Sequence, residues 1–149
     1  MKFEINFKTK WSDFDPNRHM RHTAYNDYAA EVRVRFFQEH GLSMNEFTKL
    51  NIGPILFKEE TSFLKEINIG ENITVKIELE GVSKGAERYR LRHQLYNQEG
   101  KLSAEIKVYG AWIDLEKRKL TSLPTKFKSI FQNLPKTSNF IEIPLKSEK

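Results

Sequence analysis

Cysteine does not occur in the 149 residues of the chain, which removes disulfide stapling, thiolate metal centres and a thiol nucleophile from consideration. The absence agrees with a reducing compartment. Any reaction must therefore fall to oxygen and nitrogen groups. Histidine is scarce as well, at four residues, His19, His22, His40 and His93, and none of them follows metalloprotease-type spacing. No metal and no bound redox cofactor is expected. No apolar run approaches the roughly 18 residues that a spanning helix needs, and Met1-Lys2-Phe3-Glu4-Ile5 has no signal-type apolar core. The expectation is a soluble, cytoplasmic protein with no membrane span. Basic stretches studded with aromatics are missing too. The 25 Lys and Arg are spread along the chain against 20 Asp and Glu, which points away from nucleic acid and toward a small anionic ligand such as a nucleotide phosphate.

What is present has single-domain length, enough to bury about two-thirds of the unfolded surface. One domain over residues 1–149 is expected, with 134–149 as an uninformative tail and no internal repeat or linker. Phe3, Ile5, Phe7, Thr9 and Trp11 alternate with polar residues, which reads as a half-buried strand. From Thr23 to His40 the pattern changes to three- and four-residue steps, Tyr25, Tyr28, Ala29, Val32 and Phe36, widened by Ala24, Ala30, Val34 and Phe37. Such a broad apolar surface predicts a central helix wrapped by other elements, stopped by Gly41. Ser43 and Glu46 have capping-box spacing for a short second helix ending near Asn51.

Four further segments complete the pattern. Residues 55–64 read as a strand in which Ile55, Phe57 and Phe63 share a face with Glu59 and Thr61, either a wet functional patch or a sheet edge. Ile73, Val75, Ile77 and Leu79 alternate cleanly, as do Tyr89, Leu91, His93 and Leu95, and then Leu102, Ala104, Ile106, Val108 and Trp112. Turns at Ser83-Lys84-Gly85 and Asn97-Gln98-Glu99-Gly100 join them into an antiparallel meander with one apolar face to cover. Residues 124–134 read as a short amphipathic helix closing one end.

Chemistry concentrates in Trp11-Ser12-Asp13-Phe14-Asp15-Pro16-Asn17-Arg18-His19-Met20, immediately ahead of the central helix. Helix N-termini present unpaired N–H groups and partial positive charge, which stabilise a carbonyl oxygen gaining negative charge. Asp15 beside such a terminus is suited to attack or to water activation. The plainer alternative is that Asp-x-Asp-Pro only starts a turn.

The Asp-x-Asp loop, His19 four positions on, Tyr25 and Tyr28 in the first helical turns, and Glu31 with Arg33 near mid-helix resemble the hotdog fold. The likeness is closest to the 4-hydroxybenzoyl-CoA thioesterase-like branch, over Phe3 to about Leu134. The resemblance implies an α+β hotdog domain, a long antiparallel sheet of about five strands around one central helix. It also implies hydrolysis of an acyl-CoA thioester in a homodimer or homotetramer. Asp15 matches the catalytic aspartate, as nucleophile or general base, and His19 orients substrate or Asp15. Amides near His22 and Thr23 polarise the thioester carbonyl. Tyr25 borders the acyl group, and Lys84, Arg88 and Arg90 lie where the branch contacts the coenzyme A nucleotide. Glu31 is the reserve carboxylate, since another hotdog branch uses a helical acid. Two departures stand out: Arg18 where many members have Gly, and Arg21-His22 where many have Asn-Asn. A domain that binds acyl-CoA or acyl-carrier protein without turnover is the competing reading. A hotdog dehydratase is disfavoured by the lack of a matching His segment.

Overall fold

In the computed structural model of the chain, which describes residues 2–145, the elements run β1 (Phe3–Lys8), α1 (His22–Glu39), α2 (Met44–Leu50), β2 (Ile52–Phe63), β3 (Asn72–Val82), β4 (Arg88–Tyr96), β5 (Leu102–Asp114), β6 (Lys119–Thr121) and β7 (Lys136–Glu142). The hotdog arrangement follows: an antiparallel sheet ordered β1-β3-β4-β5-β2 curls around α1, with β6 beside β5 and β7 parallel to β3. Seven strands replace the expected five or so. The extra pair are short, and β7 buries little besides Thr137, so residues 136–142 carry no alternation by which the tail would read as a strand.

Alternation places the core. Ile73, Val75, Ile77 and Leu79 of β3 and Leu91 and Leu95 of β4 are buried, as are Ala104, Ile106 and Val108 of β5, and they meet Ala24, Ala29, Val32 and Phe36 of α1. Val34 departs from the expected stripe at 41% exposure. The helix ends as its residues dictate. Gly41 takes φ +95°, Leu42 N–H donates to the Phe37 carbonyl at 2.8 Å and Gly41 N–H to Gln38 at 3.2 Å, which is the Schellman pattern. Ser43 caps α2 by accepting from the Glu46 amide at 3.2 Å, and Asn51 closes it in the left-handed region.

Three sequence expectations are corrected. The first strand stops at Lys8; Trp11–Asp13 is a 3-10 turn that leaves Trp11 85% exposed, because the chain must bend to enter the loop before α1. Residues 124–134 form two 3-10 turns, Thr125–Phe127 and Ile130–Asn133, in place of one helix. Burying Phe127, Ile130, Phe131 and Leu134 at the sheet end does not require helical continuity, and Phe131 packs 5.1 Å from Tyr89 and 6.0 Å from Phe37. The strand expected at 55–64 runs from Ile52 to Phe63 as a sheet edge, with Phe57 and Phe63 exposed.

Gly110 of β5 is forced by packing. A Cβ there would lie 2.4 Å from the Ile55 carbonyl oxygen and 2.7 Å from the Tyr89 hydroxyl. Gly110→Ala is expected to lower stability by about 2 kcal/mol, the overpacking range, measured by urea unfolding. A loss below about 0.5 kcal/mol would show that β2 and β5 separate freely here.

Candidate active site

Asp15-Pro16-Asn17-Arg18-His19 folds as a tight hairpin. Asp15 N–H donates to the His19 carbonyl at 3.0 Å, Arg18 N–H to the Asp15 carbonyl at 2.9 Å, and Phe14 bridges Met20. Pro16 presets φ at the second turn position. Arg18 takes φ +67°, the left-handed conformation that glycine adopts without cost. The arginine therefore takes a glycine-like conformation at the position where the resemblance expects Gly. The hairpin is tied to the segment before β3: Met20 N–H donates to the Ile67 carbonyl at 2.8 Å and Ile69 N–H to the Arg18 carbonyl at 3.0 Å.

The two aspartates occupy different environments. Asp13 is 1% exposed; it accepts from the Lys10 amide at 2.9 Å, from the Lys10 ammonium at 3.1 Å and from the Tyr28 hydroxyl. Burial alone would raise its pKa, yet these hydrogen bonds outweigh that and hold the carboxyl below the usual value. Tyr28 is pushed well above the ordinary phenol value by burial and by the same bond. Asp13 is thus a fully engaged structural anion that locks loop to helix. Asp15 is half-exposed. Its Oδ1 accepts the Asn17 amide at 2.9 Å and the His19 amide at 3.5 Å, and its Oδ2 has no hydrogen bond among the described residues. The turn-forming role and an available oxygen coexist in one side chain.

Asp15's charge reaches Tyr25. Burial raises the Tyr25 hydroxyl, opposed by the Ile67 amide, and the carboxylates of Glu66, Asp15 and Glu71 raise it further. Tyr25, His19 and His22 line a shallow depression with Phe63, Leu64 and Glu66, which Asp15 does not itself line. His19 Nε2 lies 3.3 Å from Glu66 Oε2, and Phe63 packs edge-on at 5.1 Å from Tyr25. Arg21 precedes the first helical residue, and α1 has no side-chain cap and no acid in its first turn. Arg21 instead binds the Ser12 carbonyl at 2.9 Å and the Thr23 hydroxyl. The first-turn amides of His22 and Thr23 lack helical acceptors, as at any helix start.

Other expected site residues lie elsewhere. Glu31 pairs with Arg35 at 2.8 Å on the exposed face of α1. Lys84 is exposed in the β3–β4 turn. Arg88 stacks over Phe57 and donates to the Tyr109 hydroxyl at 3.0 Å, and Arg90 stacks 4.1 Å above the Tyr109 ring. Arg88 pairs with Ala111 whereas Phe63, beside Tyr25, pairs with Ala104, a separation of about 23 Å along β5 at 3.3 Å per residue. One chain therefore does not bring Asp15 together with Lys84, Arg88 and Arg90. The acidic and hydroxyl face of β2 meets α1: Asn26 donates to Glu59 at 3.2 Å and accepts from Thr61 at 2.7 Å. Asn26 was not legible as a contact residue, since a polar residue beside the apolar stripe looks like solvated surface. No group of three His, Asp or Glu among the described residues is placed to hold a metal, and no described helix is long and apolar enough to cross a membrane.

The family model of the Thioesterase-like superfamily matches residues 9–131. The chain belongs to that superfamily. Among solved structures, a hypothetical protein of Staphylococcus aureus in complex with CoA superposes with TM-score 0.83 at 24% identity, over 100% of this chain and 93% of that one. A 1,4-dihydroxy-2-naphthoyl-CoA thioesterase of Synechocystis gives 0.79 at 16% identity, over 90% and 98%. A DHNA-CoA thioesterase of Staphylococcus aureus gives 0.75 at 18% identity, over 82% and 80%. At these identities the likeness is one of fold. No curated protein sequence matches the chain.

Two outcomes test the loop. Arg18→Gly is expected to be neutral or stabilising by up to about 1 kcal/mol, because relief of the left-handed strain exceeds the added unfolded-state entropy; a clear fall in melting temperature would contradict it. For Asp13 the sign is that of a depressed carboxyl: its contribution is full above the unfolded pKa of about 3.9 and fades as pH falls through it toward the folded value. The stability gap between wild type and Asp13→Asn, about 2 kcal/mol at neutral pH, should therefore narrow below about pH 4. A gap independent of pH would remove the ionised carboxylate from the lock.

Proposed function

We propose that the protein hydrolyses an acyl-CoA thioester to the free acid and coenzyme A. Membership of the thioesterase-like superfamily supports the reaction class, and the unengaged Oδ2 of Asp15, in the hairpin that leads into an uncapped helix start, is the observation that carries the mechanism. As general base, Asp15 Oδ2 takes a proton from water while the water oxygen bonds to the thioester carbon. The carbonyl oxygen becomes an oxyanion facing the His22 and Thr23 amides, and the C–S bond then breaks to release the thiolate. As nucleophile, Asp15 would instead bond to that carbon, and water would hydrolyse the resulting anhydride. A thiolate leaving group needs little protonation, so a single carboxylate suffices in either route. His19, whose Nε2 lies 3.3 Å from Glu66, orients substrate or Asp15.

The nucleotide of coenzyme A is placed against Lys84, Arg88 and Arg90, whose stacked guanidinium groups suit phosphate. Because these lie a strand's length from Asp15 in one chain, the reading requires at least a homodimer in which one copy supplies the aspartate and another the arginines. The exposed apolar residues of β2, Leu56, Phe57 and Phe63, on a strand with one unpaired edge, are the surface such a contact would cover.

Asp15→Asn is expected to reduce thiol release from acyl-CoA at least 100-fold with an unchanged unfolding midpoint, since the amide is nearly isosteric and its Oδ1 still accepts the Asn17 amide. Undiminished release would remove Asp15 from the chemistry. Saturable acyl-CoA binding with no release by either protein would favour the non-catalytic binding domain.

A further inference from the structure

Arg33 projects from α1 toward β4 and is 9% exposed, yet no carboxylate pairs with it among the described residues. Its one hydrogen bond among the described residues joins Nη1 to His93 Nε2 at 3.1 Å. A guanidinium only donates, so Nε2 is the acceptor and the His93 proton sits on Nδ1, which meets no acceptor at full hydrogen-bonding geometry but feels the Lys76 backbone, which favours the charged ring. His93 is neutral as well: burial and the neighbouring Arg33 charge hold it well below the usual imidazole value. Glu59 is the acid whose field reaches Arg33, but it is exposed on β2 and engaged by Asn26 at 3.2 Å. Burial lowers the Arg33 pKa, though arginine stays charged in any case. The result is a desolvated cation with most of its donors unused.

A second unused donor lies beside it. Tyr89 is 1% exposed, but its hydroxyl is not among the enclosed polar atoms without a partner and so opens on the cavity, and its proximity to Arg33 is felt in the electrostatics of both groups. Gly110 keeps that hydroxyl accessible, since a Cβ there would press on it at 2.7 Å. Arg33 and Tyr89 both line a cavity of about 350 Å³ between α1, α2 and β2, whose other walls include Val34, Phe37, Phe47 and Leu56. Apart from Thr48, whose hydroxyl donates to the Met44 carbonyl at 3.1 Å, the walls are apolar, and Arg33 and Tyr89 supply the free donors.

We infer that this cavity receives the far end of an acyl group that carries a carboxylate, with Arg33 and the Tyr89 hydroxyl donating to its oxygens. The identification of the ligand as an acyl group rests on the thioesterase reading; the preference for a carboxylate rests on the cavity alone. A carboxylate matches the planar guanidinium fork and adds an acceptor for the hydroxyl. A neutral chain end would displace cavity water from the guanidinium without supplying a counter-charge, which is the source of the selectivity. A phosphate has more oxygens than these two donors serve, and the surrounding walls are hydrocarbon. Arg33 lies eleven residues along α1 from His22, about 16 Å at 1.5 Å per residue, beyond the reach of a short acyl chain from Asp15 of the same chain, so in the proposed homodimer the cavity of one copy serves the Asp15 of the other.

Two measurements separate this inference from the function it builds on. In turnover, suberoyl-CoA should be hydrolysed with kcat/KM at least tenfold above octanoyl-CoA, and Tyr89→Phe and Arg33→Gln should each erase about tenfold of that preference. Equal rates for the two thioesters would overturn the inference while leaving hydrolysis intact. In binding, followed by calorimetry, octanoate should exceed octanamide at least tenfold, with the difference lost in Arg33→Gln. This comparison holds even if no thioester is cleaved, so a failed hydrolase assignment and a failed receptor are distinguishable. Indistinguishable binding of acid and amide overturns the carboxylate receptor. If neither binds and Val34→Cys forms a crosslinked dimer, a second copy occupies the groove and the inference falls. Tyr89→Phe removes only a hydroxyl without a partner, so it keeps the test valid should Arg33→Gln fail to fold.

Discussion

The constraint on which the fold depends is the breadth of the apolar surface of α1. Ala24, Tyr25, Tyr28, Ala29, Val32, Phe36 and Phe37 are all buried, and they span too much of the circumference for a flat partner to cover. A twisted antiparallel sheet that curls satisfies them. Long strands follow because the helix is eighteen residues long, about 27 Å at 1.5 Å per residue. Bulges at Phe57 and Glu80, where the registers of β2 and β3 shift, accompany that curvature. The aromatic group of Phe37, Phe47, Trp112, Tyr89 and Phe131 then closes the end remote from the Asp15 loop, with Trp112 Nε1 satisfied by the Ala86 carbonyl at 2.9 Å.

Fixing α1 also fixes the chemistry at its start. The loop before it is held on one side by Asp13, through Tyr28 and Lys10, and on the other by backbone bonds to residues 67–69. Two acids two residues apart consequently diverge. One is consumed by burial and hydrogen bonding, and the next keeps an oxygen open to solvent. This division of labour lets a surface loop hold a half-exposed carboxylate in one position: the order comes from Asp13, and Asp15 is left available.

The interior also carries a charge that packing alone does not justify. A buried arginine opposite a neutral histidine costs desolvation that no ion pair offsets, and a neighbouring tyrosine with an idle hydroxyl adds a second unmet group. Most buried polar groups in folded proteins find partners. Among the described residues the enclosed exceptions are Glu4 Oε1 and His93 Nδ1; the free donors of Arg33 and the Tyr89 hydroxyl instead open on the cavity proposed above as a carboxylate receptor. The edge of β2 exposes apolar side chains and an unpaired backbone edge, the surface on which the proposed homodimer contact would lie.

Periodicity and turn chemistry determined much of this protein by themselves. The alternation in β3, β4 and β5, the broad stripe of α1, Gly41 as its stop and Ser43 as the cap of α2 are local signals. Each reports a backbone geometry that its own neighbours impose. The Asp-Pro-Asn turn was legible for the same reason, and with it the position of Asp15 before a helix. What depended on residues far apart in the chain was not. Asp13 and Asp15 look alike until Tyr28 is folded onto one of them. Arg33 looks like half of an ion pair with a strand until His93, sixty residues on, proves to be its partner. The distance of Arg88 and Arg90 from Asp15 appears only once the strands are laid in register. Burial, partner choice and separation are set by long-range packing, and only the tertiary structure decided those.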